Sequence, residues 1–425
     1  RTLTNSKHFD RIRGMTTTMN ELPGIAALQQ GMYILWGGAA SAYSAKLRAY
    51  LINKQIDYVE LHPSHPHFKQ HVLPQVGHFT LPVLETPEGC LIADSTDAMD
   101  YLERIYPQRP MHPGNRIMAA IAQIIHSYGS DGLLKTLMYY RWATTHANRQ
   151  YILDEFARMM FQPEERSLQA VSEFSSQFRA YLKPLGIRDD HRVDLSIEAS
   201  ADKLYGILNA HFSEYPYLLG GLPSIADYGL LMGLQPHQGR DPVTCGELKM
   251  RAPALNRWME TMNRRALTDP ELYHVTPVFI EPEAIPSTLK DLLKLIFCDY
   301  GSEIIATALA YSKWLKQEER PTGTIITHDT RPAVHQRLEE ITHTQQGAEI
   351  KRTAFLDCLI QHQRLERIIK TMDPSERTRL RALAAETGGQ AVIDLRLEQP
   401  MERVNNVYVV AENQVAAFSP KHTPK

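Results

Sequence analysis

The hydrophobic pattern changes period along the chain, and each change marks an element. Met32 to Trp36 is a short apolar run of strand length that ends in Gly37-Gly38; Ala45 to Leu51 then follows a helical period with Leu47, Tyr50 and Leu51 on one side. Asp57 to Leu61 reads as a second strand and Thr80 to Glu85 as a third. Across the turn Pro87-Glu88-Gly89 a fourth strand follows at Cys90 to Ala93, and Ser95 opens a helix through Arg104.

Pro107, Pro110, Pro113 and Gly114 cannot sit inside a helix, so residues 107–115 form a linker and a domain boundary. From Arg116 to about Ala266 the pattern is helical, broken at Pro184-Leu185-Gly186, Tyr215 to Pro223 and Gln235 to Pro242. Beyond it, Ser287 to Gln317 and Thr353 to Met372 read as helices. Gly323 to Thr327, Ala391 to Leu397 and Val404 to Ala411 have β-branched, strand-like composition.

At 425 residues the chain exceeds what one core usually organises. A net charge of -2 removes the broad attraction on which nonspecific nucleic-acid binding depends, so nucleic acid is not an expected partner. No run reaches the ~18 apolar residues of a membrane helix, and none is expected. Residues 1–30 are polar, begin with Arg and read as a loosely ordered leader. Cys90, Cys245, Cys298 and Cys358 are scattered without a CxxC pair or zinc-type spacing, which fits a reducing cytoplasm and no metal. His62, His65, His67 and His71 are closely spaced, yet they lack helical spacing and an acidic or cysteine partner, so a solvated loop is the expectation.

The order β-α-β, a Pro- and His-rich crossover, β-β and α is that of a thioredoxin-like domain. At its first turn stands Ser41-Ala42-Tyr43-Ser44-Ala45-Lys46-Leu47-Arg48. Leu81-Pro82 is followed twelve residues later by Asp94-Ser95, and Tyr215-Pro216-Tyr217-Leu218-Leu219-Gly220-Gly221-Leu222-Pro223-Ser224-Ile225-Ala226-Asp227 lies in the helical part. Together these motifs resemble the cytosolic glutathione transferases over roughly the first 270 residues. Gly239-Arg240-Asp241-Pro242, Ala252 to Trp258 and Tyr139-Tyr140-Arg141-Trp142 are similar to an extended bacterial subgroup with a long C-terminal region.

The resemblance implies an α/β thioredoxin-like domain over 31–108, an all-helical transferase domain over 109–270, and a mixed, mainly helical extension of unknown role over 271–425. It places Ser41 beside the sulfur of glutathione, as a serine-type site. A thiol titrates near ~8.5, so a hydroxyl donor at the start of a helix favours the reactive thiolate. Serine at this turn excludes a mixed disulfide with the chain, and Ser41 equally suits a helix cap. Pro82 is implied to be cis, with the Leu81 backbone pairing the cysteinyl part of the ligand. Asp94 is implied to take the γ-glutamyl ammonium, and Ser95, with the helix-start amides, its carboxylate; an ordinary N-cap accounts for the same pair. Ser224 and Asp227 form a capping box. The approach Gly77-His78-Phe79-Thr80-Leu81-Pro82 is two residues longer than the family pattern, which leaves the holder of the glycyl carboxylate unassigned. The implied function is attack of glutathione on a small electrophile by a cytoplasmic homodimer. The alternative is a non-catalytic interaction module of the same fold.

Overall fold

The computed structural model describes residues 31–144, 146–265, 269–327 and 336–412, so the expected leader lies outside the described residues. The first domain is built on a four-stranded sheet. β1 (Tyr33–Trp36) runs parallel to β2 (Tyr58–Leu61) and antiparallel to β3 (Val83–Glu85), which pairs antiparallel with β4 (Leu91–Ile92). Successive strand residues point to opposite faces. Leu35 and Leu84 therefore pack with Leu47, Leu51, Met99 and Leu102 of α1 (Ala42–Lys54) and α3 (Ser95–Ile105). Ile34, Trp36 and Val83 pack with Phe68, Val72 and Val76 of the crossover, whose last turn is α2 (Leu73–Val76).

Two sequence expectations change here. The third strand starts at Val83 rather than Thr80, because Pro82 has no N–H for a ladder bond. The histidine run is solvated only in part: His62 and His71 are exposed, but the rings of His67 and Trp36 stack with centroids 5.7 Å apart, and Trp36 donates to Glu85 at 2.8 Å.

After the proline-rich segment, Asn115 caps α4 (Arg116–Ser127). The domain continues through α5 (Leu134–Met138), α6 (Arg149–Met160), α7 (Leu168–Ala180), α8 (His191–Phe212), α9 (Ile225–Leu234), α10 (Pro242–Arg251) and α11 (Pro253–Met262). The backbone passing Gly129 crosses α9 so closely that a Cβ there would lie 2.4 Å from the Gly229 carbonyl carbon. The expected capping box is present: Ser224 N–H and Oγ both donate to Asp227 Oδ2, at 2.9 and 2.8 Å.

The third region holds α12 (Ser287–Ile296), α13 (Ser302–Gln317), the hairpin β5 (Arg337–Gln345) and β6 (Ala348–Phe355), α14 (Asp357–Thr371), α15 (Pro374–Thr387), α16 (Gln390–Asp394) and the hairpin β7 (Met401–Val404) and β8 (Val407–Val410). Its Leu292, Tyr311, Leu359, Met401 and Val410 share one apolar core with Ile121, Leu204 and Leu230. Thr353 to Phe355, expected to be helical, close β6, and the helix starts at Asp357. The stretch from Ala391, expected as a strand, is a short helix instead. Gly388, at φ 82°, ends α15, and Gly389 fits against the Phe297 ring, leaving Val392 and Ile393 buried on one side. In the stretch Gly323 to Thr327, Ile325 bridges Val409, and Gly323, Thr324 and Ile326 bond to the backbone of β8, so the segment lies along that strand.

His211 ties the second region to the third: Nδ1 lies 2.8 Å from Thr288 Oγ1 and Nε2 lies 3.3 Å from the Tyr217 carbonyl. Burial pushes its pKa down to about 4. A lowered histidine contributes stability that is complete above the unfolded value near ~6.5 and is lost as pH falls toward about 4, up to about 3 kcal/mol. Asp227, pushed up to about 6 by burial, works in the opposite sense over part of that range. The expected result is therefore a difference: unfolding free energy of His211→Gln falls less on acidification from pH 7 to 4 than that of the parent chain. Parallel curves would show that His211 does not titrate on unfolding.

Candidate functional site

The strand register places one group of segments at a single end of the sheet. β1 ends at Trp36, opposite Val83, and Leu84 lies opposite Ile92. The residues after β1, before β3 and after β4 therefore meet there: Gly37 to Ser41, Leu81-Pro82, and Asp94-Ser95. The Leu81–Pro82 bond is cis, as expected. Leu81 and Pro82 precede the strand proper, and the Leu81 side chain reaches the apolar cluster of Ile152, Phe156 and Met159.

Ser41 is half-buried and is the N-cap of α1. Its Oγ accepts from Ser44 N–H at 3.4 Å and from Ser44 Oγ–H at 2.9 Å. A hydroxyl has two acceptor positions and one donor. With both acceptor positions used by Ser44, the Ser41 proton is left to donate to a ligand anion at the positive end of the helix. The cap and the chemistry are thus compatible roles of one side chain.

The turn before Ser41 is fixed from the helical domain. Arg141 makes two bonds to Asp241, 2.9 Å from Nε and 2.7 Å from Nη2, and donates from Nη1 to the Ala40 carbonyl at 2.9 Å. Both side chains of the pair are buried. The Tyr-Tyr-Arg-Trp and Gly-Arg-Asp-Pro motifs meet in this pair, a link that the sequence pattern alone does not disclose. On the same side, a Cβ at Gly38 would lie 2.4 Å from Met159 Sδ. Trp142 and Phe178 stack with ring centroids 5.3 Å apart, and with Phe156 and Phe174 they make an aromatic wall against Leu81.

At the other side, α3 is capped by Asp94 and not by Ser95. Asp94 Oδ1 accepts from the N–H groups of Thr96 and Asp97 at 2.7 and 3.1 Å, and Ser95 is 2% exposed as the first helical residue. An aspartate in extended backbone is the better cap because its carboxylate reaches two amides at once. Asp94 Oδ2 meets a partner from the third region: Arg403 Nη1 lies 2.8 Å away, and 3.3 Å from Asp97 Oδ2. Arg364 of α14 pairs with Asp97 and Asp100 at 3.3 and 2.6 Å. Beneath them Lys46, buried, donates to Thr96 Oγ1 at 2.7 Å. Burial brings Lys46 down to about 8 and pushes Asp97 up to about 6. Burial would raise Asp94 too, but Arg403 and then Lys46 outweigh it and hold Asp94 well below the usual carboxylate range. No sequence signal singles out Arg403, which is 309 positions from Asp94. Among the described residues no group of three or more His, Cys, Asp or Glu is arranged to hold a metal ion. No helix among them is long and apolar enough to cross a membrane.

Comparison with known proteins finds similarity to one family. The profile of the glutathione S-transferase N-terminal domain matches residues 35–110, and that of the C-terminal domain matches residues 163–266. No protein of curated function matches the sequence. Among solved structures, a glutathione S-transferase from Rhodospirillum rubrum F11 is 17% identical, over 57% of this chain and 90% of that one, with a TM-score of 0.36. A glutathione transferase from Phanerochaete chrysosporium is 17% identical, over 56% and 98%, at 0.39. The β-etherase LigF from Sphingobium sp. strain SYK-6 is 16% identical, over 57% and 98%, at 0.37.

Proposed function

Because this chain carries both the N-terminal and the C-terminal domain of the glutathione S-transferases, we propose that it binds glutathione at the end of the sheet and activates its thiol for attack on a small electrophile. The observation that carries this reading is the Ser41 hydroxyl, with both acceptor positions filled by Ser44 and its proton free for a thiolate at the start of α1. Leu81 supplies backbone N–H and C=O for the cysteinyl part of the ligand, and Asp94 faces its ammonium. The aromatic wall of Trp142, Phe156 and Phe178 forms the apolar half of the cleft, where the electrophile lies against Leu81. Glutathione is a co-substrate, no metal takes part, and the working form is a cytoplasmic two-fold dimer.

One observation favours a second reading. Arg403 already pairs with Asp94 at 2.8 Å, the carboxylate on which an ammonium would dock. A chain whose subsite is filled by its own guanidinium would be an interaction module of transferase fold without a thiol ligand. Calorimetric titration separates the two. The expected result is saturable binding of glutathione below ~1 mM, together with conjugation of a generic aromatic electrophile; no heat at several millimolar ligand leaves only the module.

A further inference from the structure

The γ-glutamyl end of glutathione carries two opposite charges on one carbon, an ammonium and a carboxylate. The first has its partner in Asp94. Of the groups that the family resemblance assigns to the second, Ser95 is 2% exposed, and the N–H groups of Thr96 and Asp97 already bond to Asp94 Oδ1. Lys46 points into the protein, 1% exposed, with Thr96 and Ser130 as its partners. Two guanidinium groups reach the surface of this cluster: Arg364, held by Asp97 and Asp100, and Arg403, which pairs with Asp94, its side chain 19% exposed beside an Asp94 side chain that is 28% exposed.

The guanidinium is also held in place. Nη2 donates to Tyr408 OH at 2.7 Å, and Tyr408 OH donates to Asp357 Oδ1 at 2.8 Å. Arg403 and Tyr408 face each other across the β7–β8 pair, with the guanidinium 4.9 Å from the ring centroid. Asn405 and Asn406, at φ 48° and 63°, form the two-residue turn of that hairpin. The Asn406 amide donates to the Val76 carbonyl at 2.9 Å, just before the lengthened loop that leads to Pro82. Behind the turn, the Gln363 side chain exchanges two bonds with the Met401 backbone, at 2.9 and 2.8 Å. Met401 and Val410 are buried in the main core. This hairpin is built into the fold, and it spans the sheet end from the loop before Pro82 to the start of α3.

We infer that Arg403, delivered by the C-terminal hairpin, is part of the thiol-ligand site and binds the α-carboxylate of the γ-glutamyl group while Asp94 binds its ammonium. The inference rests on glutathione being the ligand. Asp94 and Arg403 side by side present to solvent the charge pair complementary to an α-amino-acid zwitterion, and a charged guanidinium N–H suits a carboxylate better than a neutral hydroxyl does. The extension then has a role in the reaction: it completes the site that the first domain leaves open.

The test is calorimetry on the full chain with two probes, glutathione and γ-aminobutyryl-cysteinyl-glycine, which lacks only that carboxylate. Loss of a hydrogen bond to a charged group corresponds to about a 10- to 100-fold change in Kd. The parent chain is expected to prefer glutathione by that factor, and Arg403→Ala to bind both probes alike. Arg403→Lys, which keeps the charge beside Asp94 and Asp97, is expected to fall between them. If the preference persists in Arg403→Ala, the carboxylate is held elsewhere and the inference fails. Tighter glutathione binding by Arg403→Ala would also overturn it, making the guanidinium a competitor of the ammonium. Failure of the functional reading looks different: the parent chain binds neither probe.

Discussion

Asp241→Ala is expected to lower the unfolding free energy by about 3–5 kcal/mol, the range seen when one member of a buried ion pair is removed. The reason is the partner left behind. Arg141 and Asp241 are 4% and 2% exposed, and two hydrogen bonds join them. Without the carboxylate a guanidinium remains inside the protein with only carbonyl acceptors, those of Ala40 and Pro236. Adding Arg141→Met to Asp241→Ala removes the stranded charge, so the double variant recovers a large part of the loss. Activity does not recover with it, because the bond that fixes Ala40, and with it the turn before Ser41, is gone. Chemical denaturation of the three variants, with turnover measured on each, checks both halves. Equal stability of Asp241→Ala and the parent chain would mean that the pair is not buried in solution.

Ser41→Ala is the largest expected change in activity. Removing one hydrogen-bond donor to a developing or bound anion typically costs about 100-fold or more in turnover. Affinity for glutathione should change little, since most contacts of the tripeptide lie elsewhere. The same substitution removes the N-cap of α1, for about 1 kcal/mol of stability. The two roles of the side chain predict different outcomes. A cap alone gives the stability loss with unchanged turnover; a thiol activator gives both.

Much of this arrangement is readable in the residue pattern, and the exceptions have physical causes. β1, β2 and α3 stand out because Gly37, Pro63 and Pro107 follow within two residues of their ends, whereas α1 ends at Gln55 in a left-handed conformation. The capping box at Ser224 and Asp227 and the proline-rich segment that ends at Asn115 are similarly local. The β5–β6 hairpin is invisible for the opposite reason. Its inward positions include His343, Gln345 and Arg352, all buried, so the apolar alternation that betrays a strand is missing. Arg352 is stabilised there by Glu303 at 2.5 Å, a contact between residues 49 positions apart. At the candidate site, Ser41, Leu81, Pro82, Asp94 and Ser95 stand in local motifs and are visible as candidates in the sequence. Which of Asp94 and Ser95 caps α3 is not legible in the sequence, because in a pair of good caps only backbone geometry decides which one turns. Arg141 and Arg403 could not be marked, since each reaches the site by tertiary packing alone.

The proposed site keeps the glutathione thiol ionised beside Ser41. It is tested most directly by following the thiolate absorbance of glutathione bound to the full chain as pH is varied, for the parent chain and for Ser41→Ala. The predicted result is a midpoint at least about one unit below the free thiol's ~8.5 in the parent chain, returning toward the free value in the variant. Bound glutathione that titrates like the free thiol in both chains would contradict the account.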